Sequence, residues 1–326
     1  MSLQGKDIRS ILVIGAAGGL AQILLQALHA SYPEAQIIGV DSRPLMPSES
    51  PNLSLQSFAY SRGNFEKLFR EHPFDLVYHL GRVSHANLGT PLSLSRRLDL
   101  NIIGTNRILE LCLKHEIKKI VILSTFHVYG ALPDNAAFLD ESTFPRASIA
   151  YPELRDVVEM DQLSTAWMWK NQNEIETVIL RPCNIIGARI KNAISRYLLN
   201  AWTPTPIDYD PMFQFIHESD MVRVLLACIA RVPTGVYNVS PPSFISLSQA
   251  RRSIGIPGKP ASLFLLGGLA YWFHRFNAAL PHYLLDYLKY SCLIDPTALD
   301  VHLGPDFYHH SLPETLALLS SRRSQR

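Results

Sequence analysis

A glycine-rich run follows the first apolar stretch of the chain. It reads Gly15-Ala16-Ala17-Gly18-Gly19-Leu20-Ala21 and stands between the apolar residues 11–14 and a helix-like stretch. Glycine lets a strand-to-helix turn bend tightly and approach a pyrophosphate, to which the helix N-terminus offers free N–H groups and a partial positive charge. Asp41 follows about 20 residues later, where an acid can accept hydrogen bonds from ribose hydroxyls. These residues predict a dinucleotide site.

Asp41 also bears on the choice of dinucleotide. Its carboxylate would repel a 2′-phosphate, which favours NAD over NADP, whereas Arg43 nearby weakens that preference. The alternative is that Asp41 is only a turn residue ahead of Pro44.

The elements that position this run alternate between strands and helices. Unbroken apolar runs indicate strands buried on both faces of a parallel sheet, and the alternation predicts a doubly wound α/β fold. The predicted strands are Ile11–Gly15, Ala35–Val40, Leu53–Phe58, Leu76–Leu80, Lys119–Ser124, Thr177–Leu180 and Gly235–Val239. The predicted helices are Leu20–His29, Asn64–Arg70, Leu92–His115, Tyr151–Asn171 and Glu218–Ala230.

The pattern changes after Pro182. Pro204, Pro206 and Pro211 predict a loop, and from Pro241 onward the sequence predicts helices alone. We therefore expect a dinucleotide-binding domain over residues 1–185 and about 213–239. A smaller, mainly helical substrate lobe would comprise residues 186–212 and 240–326.

Composition excludes several classes of protein. Among 326 residues, 30 are Lys or Arg and 28 are Asp or Glu, a balance that argues against a nucleic-acid-binding surface. The four cysteines, Cys112, Cys183, Cys228 and Cys292, form no C-x-x-C pair, so we expect reduced thiols in a cytoplasmic protein and no metal site. The segment Met1–Ser10 is polar, unlike a secretory signal, and no apolar run reaches the ~20 residues of a transmembrane helix.

Further motifs stand in order along the chain. They are His79-Leu80-Gly81, Asn101-Ile102-Ile103-Gly104-Thr105, Ser124-Thr125-Phe126-His127-Val128-Tyr129-Gly130, Arg181-Pro182-Cys183-Asn184-Ile185-Ile186-Gly187 and Phe215-Ile216-His217-Glu218-Ser219-Asp220. With the glycine run, in which Ala21 replaces a third glycine, this series resembles the extended short-chain dehydrogenase/reductases, the NAD-dependent epimerase/dehydratase family. The resemblance covers about the first 240 residues and implies a Rossmann-type sheet.

The resemblance also implies site residues. Tyr151 would be the acid/base, Thr125 would orient the substrate oxygen, and Arg155 stands where the family has the lysine of Y-x-x-x-K. Because a phenol is a poor base at its ordinary pKa of ~10, nearby positive charge must stabilise the phenolate. The implied cofactor contacts are Gly15, Ala17, Gly18, Gly19, Leu20, Asp41, Ser42, Leu80, Gly81, Arg82, Tyr151, Arg155 and Pro182, and the implied substrate contacts are Ser84, Phe126, His127 and Asn184.

Arg155 is the main departure from the family pattern. One helical turn would place it beside Tyr151, where it keeps the charge of lysine but is longer, planar and differently directed. Weaker or altered turnover would follow. The alternative is that both are ordinary helix residues, since four-residue spacing is common on helices.

Other departures concern the substrate. Phe126-His127 replace the Asp-Glu pair of the dehydratases, and His127 is either an acid/base group or a packing residue. Phe213-Gln214 replace an Arg-Asp pair whose arginine clamps a diphosphate in the sugar-nucleotide enzymes. The apolar stretch 261–276 is either a helix that roofs the substrate pocket or a membrane-surface contact.

Together these features predict an NAD-dependent oxidoreductase or epimerase that acts on a hydroxyl-bearing carbon of a sugar nucleotide or a less polar alcohol. The alternative function is a sensor or scaffold that binds NAD(H) without turnover. The helices 92–115 and 151–171 resemble those that form the dimer seam in the family, which implies a homodimer.

Overall fold

A seven-stranded parallel sheet forms the centre of the molecule. The computed structural model describes residues 8–48, 50–81, 92–190, 192–256, 258–263 and 283–323. The strand order is β10-β6-β5-β4-β1-β2-β3, and each neighbouring pair runs parallel. The strands are β1 Ser10–Ile14, β2 Gln36–Asp41, β3 Leu53–Ser57, β4 Leu76–His79, β5 Lys119–Leu123, β6 Glu176–Pro182 and β10 Gly235–Val239.

Both faces of this sheet are buried, as the unbroken apolar runs predict. Ile11 and Val13 of β1 enter one core, which also holds the apolar side of the helix after β1. Leu12 and Ile14 alternate with them and enter a second core on the opposite face. The doubly wound α/β fold is thereby confirmed.

Helices cover the two faces and are the longest elements of the described C-terminal region. The α-helices are α1 Gly19–Ser31, α2 Arg62–Glu71, α3 Leu94–Leu98, α4 Gly104–Lys114, α5 Ala147–Ala150, α6 Arg155–Lys170, α7 Ala193–Leu199, α8 Glu218–Ala227, α9 Leu247–Ser253, α10 Tyr283–Tyr287, α11 Thr297–Leu303 and α12 Leu312–Arg323. A π-helical turn, Asp99–Ile103, joins α3 to α4, and 3-10 turns span Phe126–Val128 and Pro152–Leu154.

The predicted helix Leu92–His115 thus contains a π turn. The Tyr60 ring packs against Gly104, which directly follows this π turn. A Cβ added at Gly104 would lie 2.7 Å from the Tyr60 Cε1 atom. Only glycine at this position lets the ring approach the helix so closely.

The C-terminal region contains strands that the sequence did not predict. The proline-rich segment Pro204–Pro206 is strand β8 and pairs with β12 Lys259–Ala261, so the prediction of a loop there is wrong. Strand β11 Phe244–Ser246 pairs with β9 Met212–His217, which also pairs with β7 Asn184–Ile186. The prediction of helices alone after Pro241 is therefore wrong as well.

A third core lies beneath the three-stranded sheet. It includes Phe213 and Phe215 of β9, Leu247 of α9, and Leu316 and Leu319 of α12. Phe213 is thus a core residue, and its ring stacks 6.0 Å from that of Phe215.

Most of the predicted lobe helix 261–276 lies outside the described residues. Within the described part of the chain, no helix is both long enough and apolar enough to cross a membrane. The division into domains and the homodimer stay predictions.

Candidate active site

The glycine turn lies where β1 and β4 end side by side. Gly15 has φ +90°, a conformation that strongly favours glycine, and its N–H donates to the Val40 carbonyl at 2.8 Å. A Cβ at Gly15 would lie 2.6 Å from the Cα atom of Gly81. The two motifs Gly15–Ala21 and His79–Gly81 therefore meet backbone against backbone, and Leu80 donates its N–H to Ile14 at 3.0 Å.

Helix α1 begins at Gly19. Its N-cap residue is Gly18, which has no side chain to cap the N–H groups of the first turn. Its first turn also contains no acidic residue. An anion at this end would meet the positive end of the helix dipole, so the geometry fits the pyrophosphate of a dinucleotide.

Asp41 ends β2 and is tied to the glycine turn. Its carboxylate accepts the Ala17 N–H at 3.0 Å and is paired with the Arg43 guanidinium, again at 3.0 Å. Burial by itself raises the pKa of this carboxyl, but the hydrogen bonds from Arg43 and Ala17 outweigh it and hold the pKa below its ordinary value. Asp41 is therefore an anion. Ribose hydroxyls would compete for its carboxylate oxygens with the Arg43 side chain, which is 60% exposed.

A loop after β7 approaches α1 at Gly19. The Arg189 carbonyl oxygen lies 2.3 Å from the position that a Cβ of Gly19 would take, so glycine allows the close approach. The buried carboxylate of Glu218 fixes the loop by accepting the Ala188 N–H at 2.8 Å and the Arg189 N–H at 3.3 Å. Sequence reasoning assigned Glu218 only to a motif and missed this role.

A buried polar network lies behind the ends of β5 and β6. Asp161 accepts two hydrogen bonds from Arg181, at 2.6 and 3.0 Å, and one from Ser124 at 2.5 Å. Arg181 also donates to the Tyr129 hydroxyl at 2.9 Å, and Tyr129 donates to Asn238 at 2.9 Å. Burial raises the pKa of Tyr129 to about 12, although Arg181 opposes this shift.

This network holds in place the residues that directly precede two predicted site residues. Ser124 precedes Thr125, and Arg181 precedes Pro182, the last residue of β6. Sequence reasoning did not assign Asp161 a role, because nothing in the pattern of α6 shows which of its acids faces Arg181.

Thr125 lies at the end of β5, where its side chain caps a turn. Its Oγ1 accepts the His127 N–H at 3.4 Å, and the residue is buried. The His127 ring packs against Phe126, at 4.2 Å between centroids, and against Tyr287 of α10, at 4.9 Å. Phe126 and His127 therefore form an aromatic cluster with α10, which is the packing role left open for His127.

The Tyr151 side chain also faces α10. Its hydroxyl lies 2.9 Å from the Ala131 carbonyl oxygen and 3.0 Å from Oδ2 of Asp286, which belongs to α10. Burial raises the pKa of Tyr151 well above its ordinary value, and the negative charge of Asp286 and its hydrogen bond raise it further. No sequence pattern pointed to Asp286, which is 135 residues away along the chain.

The prediction that Tyr151 and Arg155 share a helical turn is wrong. Tyr151 is extended, with φ −129° and ψ 90°, and a 3-10 turn over Pro152–Leu154 separates it from α6, which begins at Arg155. The Arg155 side chain is 58% exposed and forms an ion pair with Glu159 at 2.5 Å. Arg155 thus pairs with an acid of its own helix, and the predicted lowering of the Tyr151 pKa is replaced by a rise.

The remaining predicted contacts divide into three groups. The Asn184 amide donates to the Gln214 carbonyl at 3.1 Å, a structural bond between β7 and β9, and Gln214 exchanges two hydrogen bonds with Ile294. Ser42 directly follows Asp41, the last residue of β2. Arg82 and Ser84 lie outside the described residues.

Among the described residues, the cysteines and possible metal ligands add no further site. All four cysteines are buried and free of disulfides. Within the described ranges, no three His, Cys, Asp or Glu side chains come together as a metal site would require.

Comparison with known proteins matches this geometry to one family. A family model described as NAD dependent epimerase/dehydratase matches residues 11–240. An uncharacterized protein of Mycobacterium tuberculosis is 26% identical over 304 residues, which cover 90% of this chain and 79% of the relative. Human dTDP-D-glucose 4,6-dehydratase is 26% identical over 272 residues, or 77% of this chain and 75% of that protein.

Solved structures show the same fold at lower identity. The dTDP-glucose 4,6-dehydratase of Bacillus anthracis, in complex with NAD, superposes with a TM-score of 0.74 at 16% identity, covering 98% of this chain and 97% of that one. The UDP-glucuronic acid 4-epimerase of Bacillus cereus, in complex with UDP-glucuronic acid and NAD, gives a TM-score of 0.74 at 19% identity, with coverages of 97% and 99%.

Proposed function

Because this chain belongs to the NAD-dependent epimerase/dehydratase family, we propose that it is an NAD-dependent oxidoreductase or epimerase acting on a hydroxyl-bearing carbon. The observation that carries the proposal is the contact of Gly15 with Gly81 beside Asp41. It leaves glycine backbone at the crossing of two strand ends, with a carboxylate at the end of the next strand. This is the arrangement that a dinucleotide needs.

The cofactor would lie across the carboxyl ends of the strands. The turn Gly15–Leu20 would hold its pyrophosphate at the start of α1, and Asp41 with Ser42 would hold the adenosine ribose. Leu80, Gly81 and Pro182 would line the crevice toward Thr125. When bound, the nicotinamide supplies reversible acceptance of a hydrogen with its bonding electrons.

Thr125 and Tyr151 would serve the reacting oxygen. The Thr125 hydroxyl, fixed at the end of β5, would hold that oxygen by a hydrogen bond. Tyr151 would exchange a proton with it, as a protein phenol can when a partner makes the transfer favourable. The aromatic rings of Phe126, His127 and Tyr287 would exclude water from this part of the pocket.

The substrate class follows from two opposing features. Relatives that share the fold carry the names of enzymes acting on nucleotide sugars. However, Phe213 is buried in the third core and Gln214 is hydrogen-bonded to Ile294, so neither can clamp a diphosphate. We propose a sugar nucleotide held by other groups, or a less polar alcohol.

The experiment is an absorbance assay of reduced nicotinamide. The purified protein is mixed with NAD⁺ and, separately, with dTDP-glucose, UDP-glucose, UDP-glucuronate and hydrophobic secondary alcohols. Formation of NADH, or for the sugars a changed product in chromatography, is the expected result. If NAD⁺ binds in calorimetry but no candidate is converted, the enzyme proposal is overturned.

A second candidate is a protein that binds NAD(H) without turnover. It is favoured by the anionic partner of Tyr151 and by the pairing of Arg155 with Glu159, since neither arrangement stabilises a phenolate. Calorimetry combined with the absorbance assay distinguishes the two, because a sensor binds NAD⁺ but converts none of the candidate substrates.

A further inference from the structure

The hydroxyl of Tyr151 has one hydrogen and two acceptors. The Ala131 carbonyl oxygen lies 2.9 Å away and the Asp286 carboxylate 3.0 Å away, so the hydrogen can point to either. Tyr151 is buried at 6% exposure, and Tyr283 of α10 lies 6.3 Å from its ring. Asp286 is thus brought to the phenol by the lobe.

A carboxylate at this position changes the chemistry that the phenol can perform. A neighbouring cation stabilises a phenolate, whereas a neighbouring anion disfavours it. The same carboxylate can, however, accept the proton of the phenol through the hydrogen bond that already joins them. Arg155 is engaged by Glu159, and among the described residues Asp286 is the only acidic or basic side chain that is hydrogen-bonded to the Tyr151 hydroxyl.

We propose that Asp286 is a positioning residue that takes up the proton of Tyr151, so that the site works as a relay without forming a phenolate. The proposal rests on the proposed function. It assigns to the lobe a role that the family pattern would place at position 155.

The relay balances in both directions. During alcohol oxidation the substrate O–H bond breaks and its proton joins the Tyr151 oxygen, while the Tyr151 O–H bond breaks and its proton joins Oδ2 of Asp286. The electron pair left on the substrate oxygen forms the carbonyl bond as the carbon loses its hydrogen and bonding electrons to the oxidised nicotinamide. In reduction, Asp286 returns the proton through Tyr151.

A titration of residue 151 tests the contact without any turnover. For this measurement 3,5-difluorotyrosine, whose phenol is more acidic, is incorporated at position 151 and its ionisation is followed by absorbance in otherwise unchanged and Asp286→Asn proteins. Removal of the like charge should lower the pKa of residue 151 by about 1 to 3. An unchanged pKa would overturn the relay.

Asp300→Asn is the matched control. Asp300 of α11 also accepts a hydrogen bond from a tyrosine, Tyr308, at 3.4 Å. The substitution Asp300→Asn removes the same charge from the C-terminal region without touching Tyr151, so the pKa of residue 151 should not move.

The kinetic arm uses the substrates of the absorbance assay above. Asp286→Asn should lower kcat about 100-fold with little change in KM, as expected when a proton-transfer partner is lost. Asp286→Glu should recover part of that loss, and Asp300→Asn should match the wild type. An Asp286→Asn protein as active as the wild type, or more active, would show that Asp286 restrains Tyr151 and would overturn the relay. No turnover by the wild type overturns the proposed function instead.

Discussion

Loss of the Asp161 carboxylate should destabilise the protein more than any surface ion pair can. Asp161 is fully buried and Arg181 is 3% exposed, so Asp161→Asn leaves a guanidinium in the interior with no counter-charge. Breaking one partner of such a pair costs about 3–5 kcal/mol. At about 2 °C per kcal/mol for a chain of this size, Tm should fall by about 6–10 °C.

The matched control has the same chemistry at the surface. Arg146 donates two hydrogen bonds to Asp134, at 2.7 and 2.9 Å, but these side chains are 34% and 64% exposed. Asp134→Asn should therefore cost little stability, because water screens an exposed pair.

Calorimetric Tm and urea unfolding of the two variants give the comparison directly. The double variant Asp161→Asn/Arg181→Met should recover part of the lost stability, because it removes the uncompensated charge. Equal losses for Asp161→Asn and Asp134→Asn would refute the claim that burial makes the difference.

Three further outcomes are expected. Gly15→Ala should cost about 1–3 kcal/mol more than Gly255→Ala in urea unfolding, because both residues have positive φ but only a Cβ at Gly15 meets backbone atoms. Of the two variants, only Gly15→Ala should weaken NAD binding in calorimetry. Burial lowers the pKa of His79 to about 4 from 6.5, so the unfolded chain binds a proton in this window that the folded protein does not. Stability should therefore fall by up to about 3 kcal/mol as the pH drops from 6.5 to 4, and His79→Gln should lose this dependence in urea titrations. Arg155→Ala should change the free energy of unfolding by only about 0.3–0.5 kcal/mol, because its ion pair with Glu159 is an exposed pair on one helix. A larger loss would show that Arg155 makes a buried contact instead.

The sheet could be predicted from the sequence because its signal is local. Continuous apolar runs such as Ile11–Ile14 suffice to identify strands buried on both faces, and the glycine turn lies next to the first of them. Asp41 could be placed for the same reason, since a parallel sheet brings the ends of β1 and β2 together.

The relation of Tyr151 to Arg155 could not be predicted from spacing alone, although the sequence holds the reason. Proline disfavours the helical conformation in the residue before it, and Tyr151 stands before Pro152. Tyr151 is accordingly extended and lies outside the helix that Arg155 begins.

Contacts between distant segments were beyond sequence reasoning. Asp286 meets Tyr151 across the fold, and Gln214 meets Ile294 across 80 residues. The strand Pro204–Pro206 was missed because proline removes a backbone donor and is typical of loops, whereas here it lies in a two-stranded pair that needs few donors.

The most direct measurement is a crystal structure of the protein soaked with NAD⁺. We expect the pyrophosphate on the turn Gly15–Leu20, the adenosine ribose at Asp41, and the nicotinamide ring facing Thr125 and Tyr151. Density for the nicotinamide on the far side of the sheet edge from Tyr151, or an empty turn at saturating NAD⁺, would overturn the proposed cofactor site.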